Sequence, residues 1–404
     1  MSNSVVKAIN ALYAGRTGDA FGRQRVSDPT TLFDSQNQYD NNPLLWEEVT
    51  AGSATVSHVP NEADVNMEVT TASGDIAIRQ TRQYHRYQPG KSQFILCTFI
   101  MNEGQANTTQ RVGYFDANDG IFLELSGTSL RIVLRTSTSG SPVDNAIEQA
   151  DWNIDDLPGL DITKSQIFFI DLEWLGVGQV RTGFVIDGAF KHCHHFKNAN
   201  NLTEIYMKTA NLPVRYEIMN TGTAAAGATL HSICCSVISE GGFEADRGLP
   251  FCASNGTAIK NVTTSAVPVI SIRPKQTFNS ITNRGKIDVS GINGYANGQA
   301  AYVTVVYNGT LTGANWQSVD TNSIVEVDTS ATSISGGQVI NAFYAPAGSQ
   351  GNQSSNAATN IGVLSRLPLV WDVSASAATI LSVVAQSFNA TSSVSTALFW
   401  QEQR

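Results

Sequence analysis

The stretch Asp171–Phe196, DLEWLGVGQVRTGFVIDGAFKHCHHF, decides how the chain is read. Gly176, Gly178 and Gly183 approach the G-x-G-x-x-G spacing of a dinucleotide loop, but the third glycine stands two positions late. Such a loop also needs a helix behind it, so that backbone N–H groups at the helix start meet the phosphates. The residues behind this one are FVIDGAF, a strand pattern with Asp187-Gly188 as a tight turn. The segment therefore reads as a hairpin from Glu173 to Asp187, connected at Gly176–Gly178, and not as a nucleotide site.

Its last part, His192, Cys193, His194 and His195, has metal-ligand chemistry. In an uninterrupted strand His192 and His194 share one face, and Cys193 and His195 the other. Zinc asks for three or four ligands, usually assembled with a second pair. His58, His85 and His231 stand alone in the sequence, and no CxxC or HExxH occurs. The expectation is no metal and no other cofactor. Paired carboxylates such as Asp171 with Glu173, or Asp155 with Asp156, have the chemistry of glycan cleavage but no supporting motif. No G-x-S-x-G occurs either. The segment PVRYEIM places Val214, Tyr216 and Ile218 on one strand face and Arg215 and Glu217 on the other. A solvated ion pair is expected there. No catalytic residue is assigned, and the chain is read as a non-enzyme.

Outward from this segment the strand habit continues. ATVSHVP and DVNMEVTT alternate apolar and polar residues, QFILCTFIM has buried-strand length, and GIFLELSGTSLRIVLRT is a hairpin turning at Ser126-Gly127. Short helical stretches are expected around Asp144 to Gln149, Asp151 to Leu157 and Asn200 to Asn211. Residues 241–267 read as a linker. A second β-rich unit occupies 268–404, with AAYVTVVYNG, SIVEVDTS, GGQVINAFYA, LPLVWDV and TILSVVAQSF. Residues 1–45 read as an extended arm broken by Pro29 and Pro43. Its Phe21, Arg23, Arg25 and Phe33, with Trp46, are the candidate partner-binding residues. The fold class is thus all-β: an arm over 1–45, a large β-sandwich or jelly roll over 46–240, and a smaller sandwich at the C-terminus; the resemblance stated below makes the large one concanavalin-like.

Composition narrows the function. Hydrophobic residues make up 42% and charged residues only 15% of the 404. That charged share is low against a usual quarter or so, and it suits strands better than long helices. A net charge of −9 without any basic run argues against nucleic acid and against an anionic membrane surface. No window approaches the roughly 18 apolar residues of a membrane helix, and MSNSVVKAINALYAG is not a secretory signal. The five cysteines, Cys97, Cys193, Cys234, Cys235 and Cys252, have no framework spacing and are read as small buried residues in a reducing compartment. Adjacent Cys234 and Cys235 should face opposite sides of a strand.

The pattern FFIDLEWLGVGQVRTGFVIDGAF resembles the central sheet of concanavalin-like and laminin-G-like sandwiches. Together with GDAFGRQRVSDPTTLFDSQ and NLPVRYEI, it is similar to structural proteins of tailed bacteriophage virions, over residues 18–240. That resemblance implies a virion component, made in the host cytoplasm and bound to other virion proteins. It implies a symmetric homo-oligomer, with a trimer favoured, acting as a decoration, cement or fibre-type protein. The alternative is a glycan-binding protein that recognises a host surface, and after it a polysaccharide-cleaving enzyme.

Overall fold

The computed structural model describes residues 20–21, 28–242, 248–348, 357–360 (backbone only) and 367–404. These residues are strand and turn, with one 3-10 turn at Gln149–Asp151. The chain divides into two compact units, Met1–Glu244 and Ala245–Arg404.

The first unit holds β1 (Thr30–Gln36), β2 (Trp46–Ala51), β3 (Thr55–Val59), β4 (Asp64–Val69), β5 (Ile76–Thr81), β6 (Gln93–Ile100), β7 (Thr108–Phe115) and β8 (Gly120–Ser126). It continues with β9 (Ser129–Thr136), β10 (Val143–Glu148), β11 (Gln166–Leu172), β12 (Gln179–Ile186), β13 (Ala189–Lys197), β14 (Val214–Asn220) and β15 (Ala228–Ser239). One antiparallel sheet runs β13-β12-β11-β6-β15-β4-β3, and the other β10-β9-β8-β7-β14-β5-β2. β1 pairs with the second half of β15, taking over where β4 ends.

Period-two alternation builds the space between the sheets. Ile95, Cys97 and Phe99 of β6, Phe168, Ile170 and Leu172 of β11, and Val214, Tyr216 and Ile218 of β14 are essentially fully buried. Two tyrosines give this core direction. Tyr216 Oη, from one sheet, lies 3.2 Å from Thr98 O and 3.1 Å from Cys234 O of the other. Tyr114 Oη is 3.0 Å from His85 O and 2.9 Å from Ala210 O. A buried phenol needs such partners, so the two hydroxyls fix how the layers meet.

A β11–β12 hairpin forms, but its first strand ends at Leu172, so the connection runs over 173–178 and not Gly176–Gly178 alone; it is closed by Gly178 N donating to Trp174 O at 2.6 Å. A Cβ on Gly178 would stand 1.6 Å from Glu173 O, so only glycine fits that closure.

The second unit is a smaller sandwich of two six-stranded sheets. In one, Ser392–Gln403 pairs with Lys286–Asn297 on one edge, and with Leu249–Ser254 and Lys260–Val262 on the other. In the other sheet, Leu381–Ser387 lies between Val267–Pro274 and Ala301–Tyr307, and Gln338–Ala345 pairs with the far edge of Ala301–Tyr307. Ile292, Leu398 and Trp400 from the first layer meet Ile270, Val303, Val305 and Val383 from the second.

Four expectations change. Thr30–Gln36, placed in the arm, is a strand of the first sandwich. Leu249–Ser254 and Lys260–Val262, placed in the linker, are strands of the second. Val143–Glu148 is an edge strand and not a helix, because cross-strand pairing with β9 overrides a weak local propensity. Asp151–Leu157 and Asn200–Asn211 form turns, Leu157 and Asn200 taking positive φ.

Candidate functional site

The arm residues fall in different places. Phe21 is 45% exposed. Arg23 and Arg25 lie outside the described residues. Phe33 and Trp46 are buried, with ring centroids 6.0 Å apart. Trp46 Nε1 donates to Ser35 Oγ at 2.8 Å, and the guanidinium of Arg79 lies 4.5 Å over its ring. Arg79, itself fully buried, is held by Glu48 and by Asn37 Oδ1 at 2.9 Å. Phe33 and Trp46 thus belong to the core of their own unit and are not free to meet a neighbour.

The histidine run is rearranged by a β-bulge. Thr182 pairs with His194 but Gly183 pairs with His192, so Cys193 is the extra residue. The bulge shifts the alternation. It brings His192 and His195 together, with centroids 5.2 Å apart and His195 Nε2 3.4 Å from His192 Nδ1, while His194 turns to Phe196. Uninterrupted alternation would pair His192 with His194. Burial pushes His195 down to about 3, and the His192 ring beside it adds to the shift. The third ligand that zinc needs does not stand beside them among the described residues.

Two of the candidate carboxylates are engaged structurally. Asp171 is ion-paired with Arg181 and accepts from Ser92 Oγ at 2.7 Å. Asp155 Oδ1 accepts from Leu157 N at 2.9 Å. Arg215 and Glu217 do occupy the strand face opposite Tyr216, but they are buried and not solvated. Glu217 pairs with Arg215 and lies 2.6 Å from Arg111 Nη1; Arg111 Nε reaches Glu124 at 2.7 Å, and Glu124 pairs in turn with Arg131. This ladder crosses the outer face of the seven-stranded sheet. Beneath it Phe115 and Phe122 are fully buried, with the guanidinium groups of Arg111 and Arg135 5.7 and 5.0 Å from the Phe122 centroid. Burial raises the Glu217 carboxyl, but Arg215 and Arg111 outweigh it and hold the group below its usual range.

Cys97, Cys193 and Cys235 are buried as expected, whereas Cys234 and Cys252 are exposed. All five are free thiols, and Cys234 and Cys235 do face opposite sides.

A polar–aromatic surface lies on the second unit. Alternation along Ala301–Tyr307 sends Val303 and Val305 inward and Tyr302 outward. Tyr302 is in register with Tyr344 on one neighbouring strand and Gln386 on the other, so the three side chains form a row across the sheet. Phe388 comes immediately after the strand that carries Gln386. The Tyr302–Tyr344 centroids are 5.4 Å apart, and those of Tyr344 and Phe388 are 6.0 Å apart with planes at 24°. Tyr344 is 65% and Phe388 53% exposed. With Thr264, Gln386 and Ser387 these rings line a depression of about 310 Å³. Ser387 is buried, yet its hydroxyl has no hydrogen-bond partner. Among the described residues, no acidic or basic side chain lines the depression. Ring faces beside an amide, hydroxyls and an unused buried hydroxyl suit an uncharged ligand with one apolar face and a hydroxylated rim. A larger depression of about 530 Å³, lined by Pro250, Phe251, Cys252, Val319, Asp320 and Phe399, offers far less polar recognition.

No protein-family model matches this sequence, and no curated protein matches it. Several solved structures show a distant likeness. One described with endo-acting O-glycanases of the human gut microbiota shares 11% identity at TM-score 0.40, covering 52% of this chain and 99% of its own. A legume lectin-like domain from Entamoeba histolytica shares 8% at TM-score 0.31, covering 52% and 97%. A family 16 glycosyl hydrolase from Mycobacterium smegmatis shares 11% at TM-score 0.35, covering 52% and 100%.

Proposed function

We propose that this chain binds glycan without cleaving it, through the ring row of the second unit, and that it does so as a structural component of a virus particle. One observation carries the binding: Tyr302, Tyr344 and Phe388 present neighbouring ring faces to solvent beside Gln386, Thr264 and the unpartnered Ser387 hydroxyl. The C–H faces of a pyranose lie on such rings, and its hydroxyl groups pair with the amide and hydroxyls at the rim. Exposed, contiguous aromatic surface is otherwise uncommon on a soluble protein and marks a site of contact.

The particle setting rests on the resemblance of residues 18–240 to tailed-phage structural proteins. In it, other virion proteins and further copies of this chain are the partners.

A glycan array probed with the full chain tests the binding, and loss of signal in Tyr344→Ala is the expected result. Uniform absence of binding removes the proposal. Release of new reducing ends from any bound polysaccharide would replace it with an enzymatic one. Mass spectrometry of purified particles tests the setting separately, since a chain absent from them is not a virion component.

A further inference from the structure

A second cluster of ligand-type side chains stands on the first unit, unrelated to the ring row. The turn 60–63 joins β3 to β4 and is closed by Glu62 N donating to Val59 O at 3.1 Å. It delivers Glu62 and Asp64 to the side on which His231 of neighbouring β15 projects. His231 Nδ1 is 2.7 Å from Asp64 Oδ2 and 4.0 Å from Glu62 Oε2, and one ligand atom from each residue lies within 4.8 Å of the other two.

The surroundings give the cluster an unmet need. Asp64 is 2% exposed, and its second oxygen, Oδ1, is buried with no hydrogen-bond partner. Asn66 sits two residues along β4 and directly opposite His231 in register, and its Oδ1 is likewise buried without a partner. Buried carboxylate and amide oxygens only accept, so each is costly unless a donor or a cation reaches it. The imidazole has one proton to give at Nδ1, and Asp64 Oδ2 already takes that position. Asp64 Oδ1 and Asn66 Oδ1 are left without a donor.

We infer that Glu62, Asp64 and His231 form a binding site for one divalent cation of the zinc type. A zinc ion about 2.0–2.2 Å from its nitrogen and oxygen ligands places those ligands roughly 3.3–3.6 Å apart. The separations of 2.7 and 4.0 Å from Nδ1 bracket that spacing, so small side-chain rotations open the site. The cation replaces the proton between Nδ1 and Asp64 and supplies the positive charge that two carboxylates lack. A nitrogen ligand favours zinc over calcium or magnesium, which take oxygen. Glu62, with its side chain 57% exposed, leaves an entry path and room for water at the remaining position. Once bound, the ion ties the β3–β4 turn to β15.

Zinc chloride titrated calorimetrically into the metal-stripped full chain tests this. The expected result is one zinc per chain, weakened about tenfold or more in His231→Gln and Asp64→Asn. Glu62→Gln, on an exposed turn and so not expected to disturb folding, should also weaken it. Zinc should raise the thermal midpoint of the wild type and leave that of His231→Gln unchanged. The double variant His192→Gln/His195→Gln should bind zinc as the wild type does. No zinc binding by the wild type overturns the inference. So does binding that survives both Glu62→Gln and His231→Gln, binding lost instead in the His192/His195 double variant, or a preference for calcium.

Discussion

Replacing Tyr344 by alanine should weaken glycan binding by about an order of magnitude while leaving the fold intact. An aromatic side chain buries about 150–250 Å² when fully covered. With Tyr344 65% exposed, on the order of 130 Å² stays accessible, and a ligand lying on one ring face covers about half of that, roughly 65 Å². At ~25 cal/mol per Å² this removes ~1.6 kcal/mol, or roughly fifteenfold in Kd. The same reasoning for Phe388, 53% exposed, gives ~1.3 kcal/mol, about ninefold. The two rings are neighbours, so the double variant need not lose the product of the two factors. The assay is calorimetry or interferometry with the strongest array ligand, alongside thermal melts. Substitutions at such exposed positions usually move stability by no more than about 0.5 kcal/mol. Tyr302, half-buried against its neighbours, is the graded control. If both single variants bind within twofold of wild type with unchanged midpoints, the rings do not carry recognition.

The first unit yields further expected outcomes. Glu217→Ala leaves the buried Arg215 without its carboxylate partner, takes one of two from Arg111, and should cost about 3–5 kcal/mol in denaturant unfolding. Glu148→Ala, on the exposed rim 3.8 Å from Arg131, should cost no more than about 1 kcal/mol. Equal costs would deny that burial separates the two. Because the folded Glu217 carboxyl titrates below its unfolded value near 4.5, its contribution is complete above that pH and is lost as pH falls through the lower folded value. Glu217→Gln should flatten that part of the acid limb. His195 behaves in the same direction for a different reason. Its folded value of about 3 lies below the ordinary 6.5, so the unfolded chain takes up the proton first and stability declines from about pH 6.5 toward 3. His195→Gln should reduce that decline, as followed by melts across the range. In the native chain Cys234 and Cys252 should react with a thiol reagent, and Cys97, Cys193 and Cys235 only after unfolding.

Much of the architecture is legible because alternation is local. Asp187-Gly188 adopts positive φ at both residues, which a two-residue hairpin demands, and the dipeptide announces it. The failures trace to pairing, which is not local. Val143–Glu148 reads as a weak helix until β9 offers it an edge. The His192–His195 pair depends on one extra residue in β13, and nothing in HCHH itself signals a bulge. Alternation puts Arg215 and Glu217 on the right face, but the buried ladder they join runs through Arg111 on β7, distant in sequence. The ring row is hidden for the same reason. Tyr302, Tyr344 and Phe388 sit in or beside segments that read correctly as strands, yet only the register brings them together. Phe33 and Trp46 read as contact residues because their spacing lacks a period. In fact Phe33 lies on a strand paired with β15, and Trp46 begins β2 in the other sheet.

In both units a strand flanked on each edge is among the last to be synthesised. β15 lies between β6 and the β4–β1 edge, and Ser392–Gln403 between Leu249–Ser254 and Lys286–Asn297. Neither sandwich has its central seam until that strand has left the ribosome. Earlier strands must wait with open edges, since long-range pairing has no reward before the loop is closed. Each unit therefore completes that sheet late in synthesis, and its open edges before then are where off-pathway association starts.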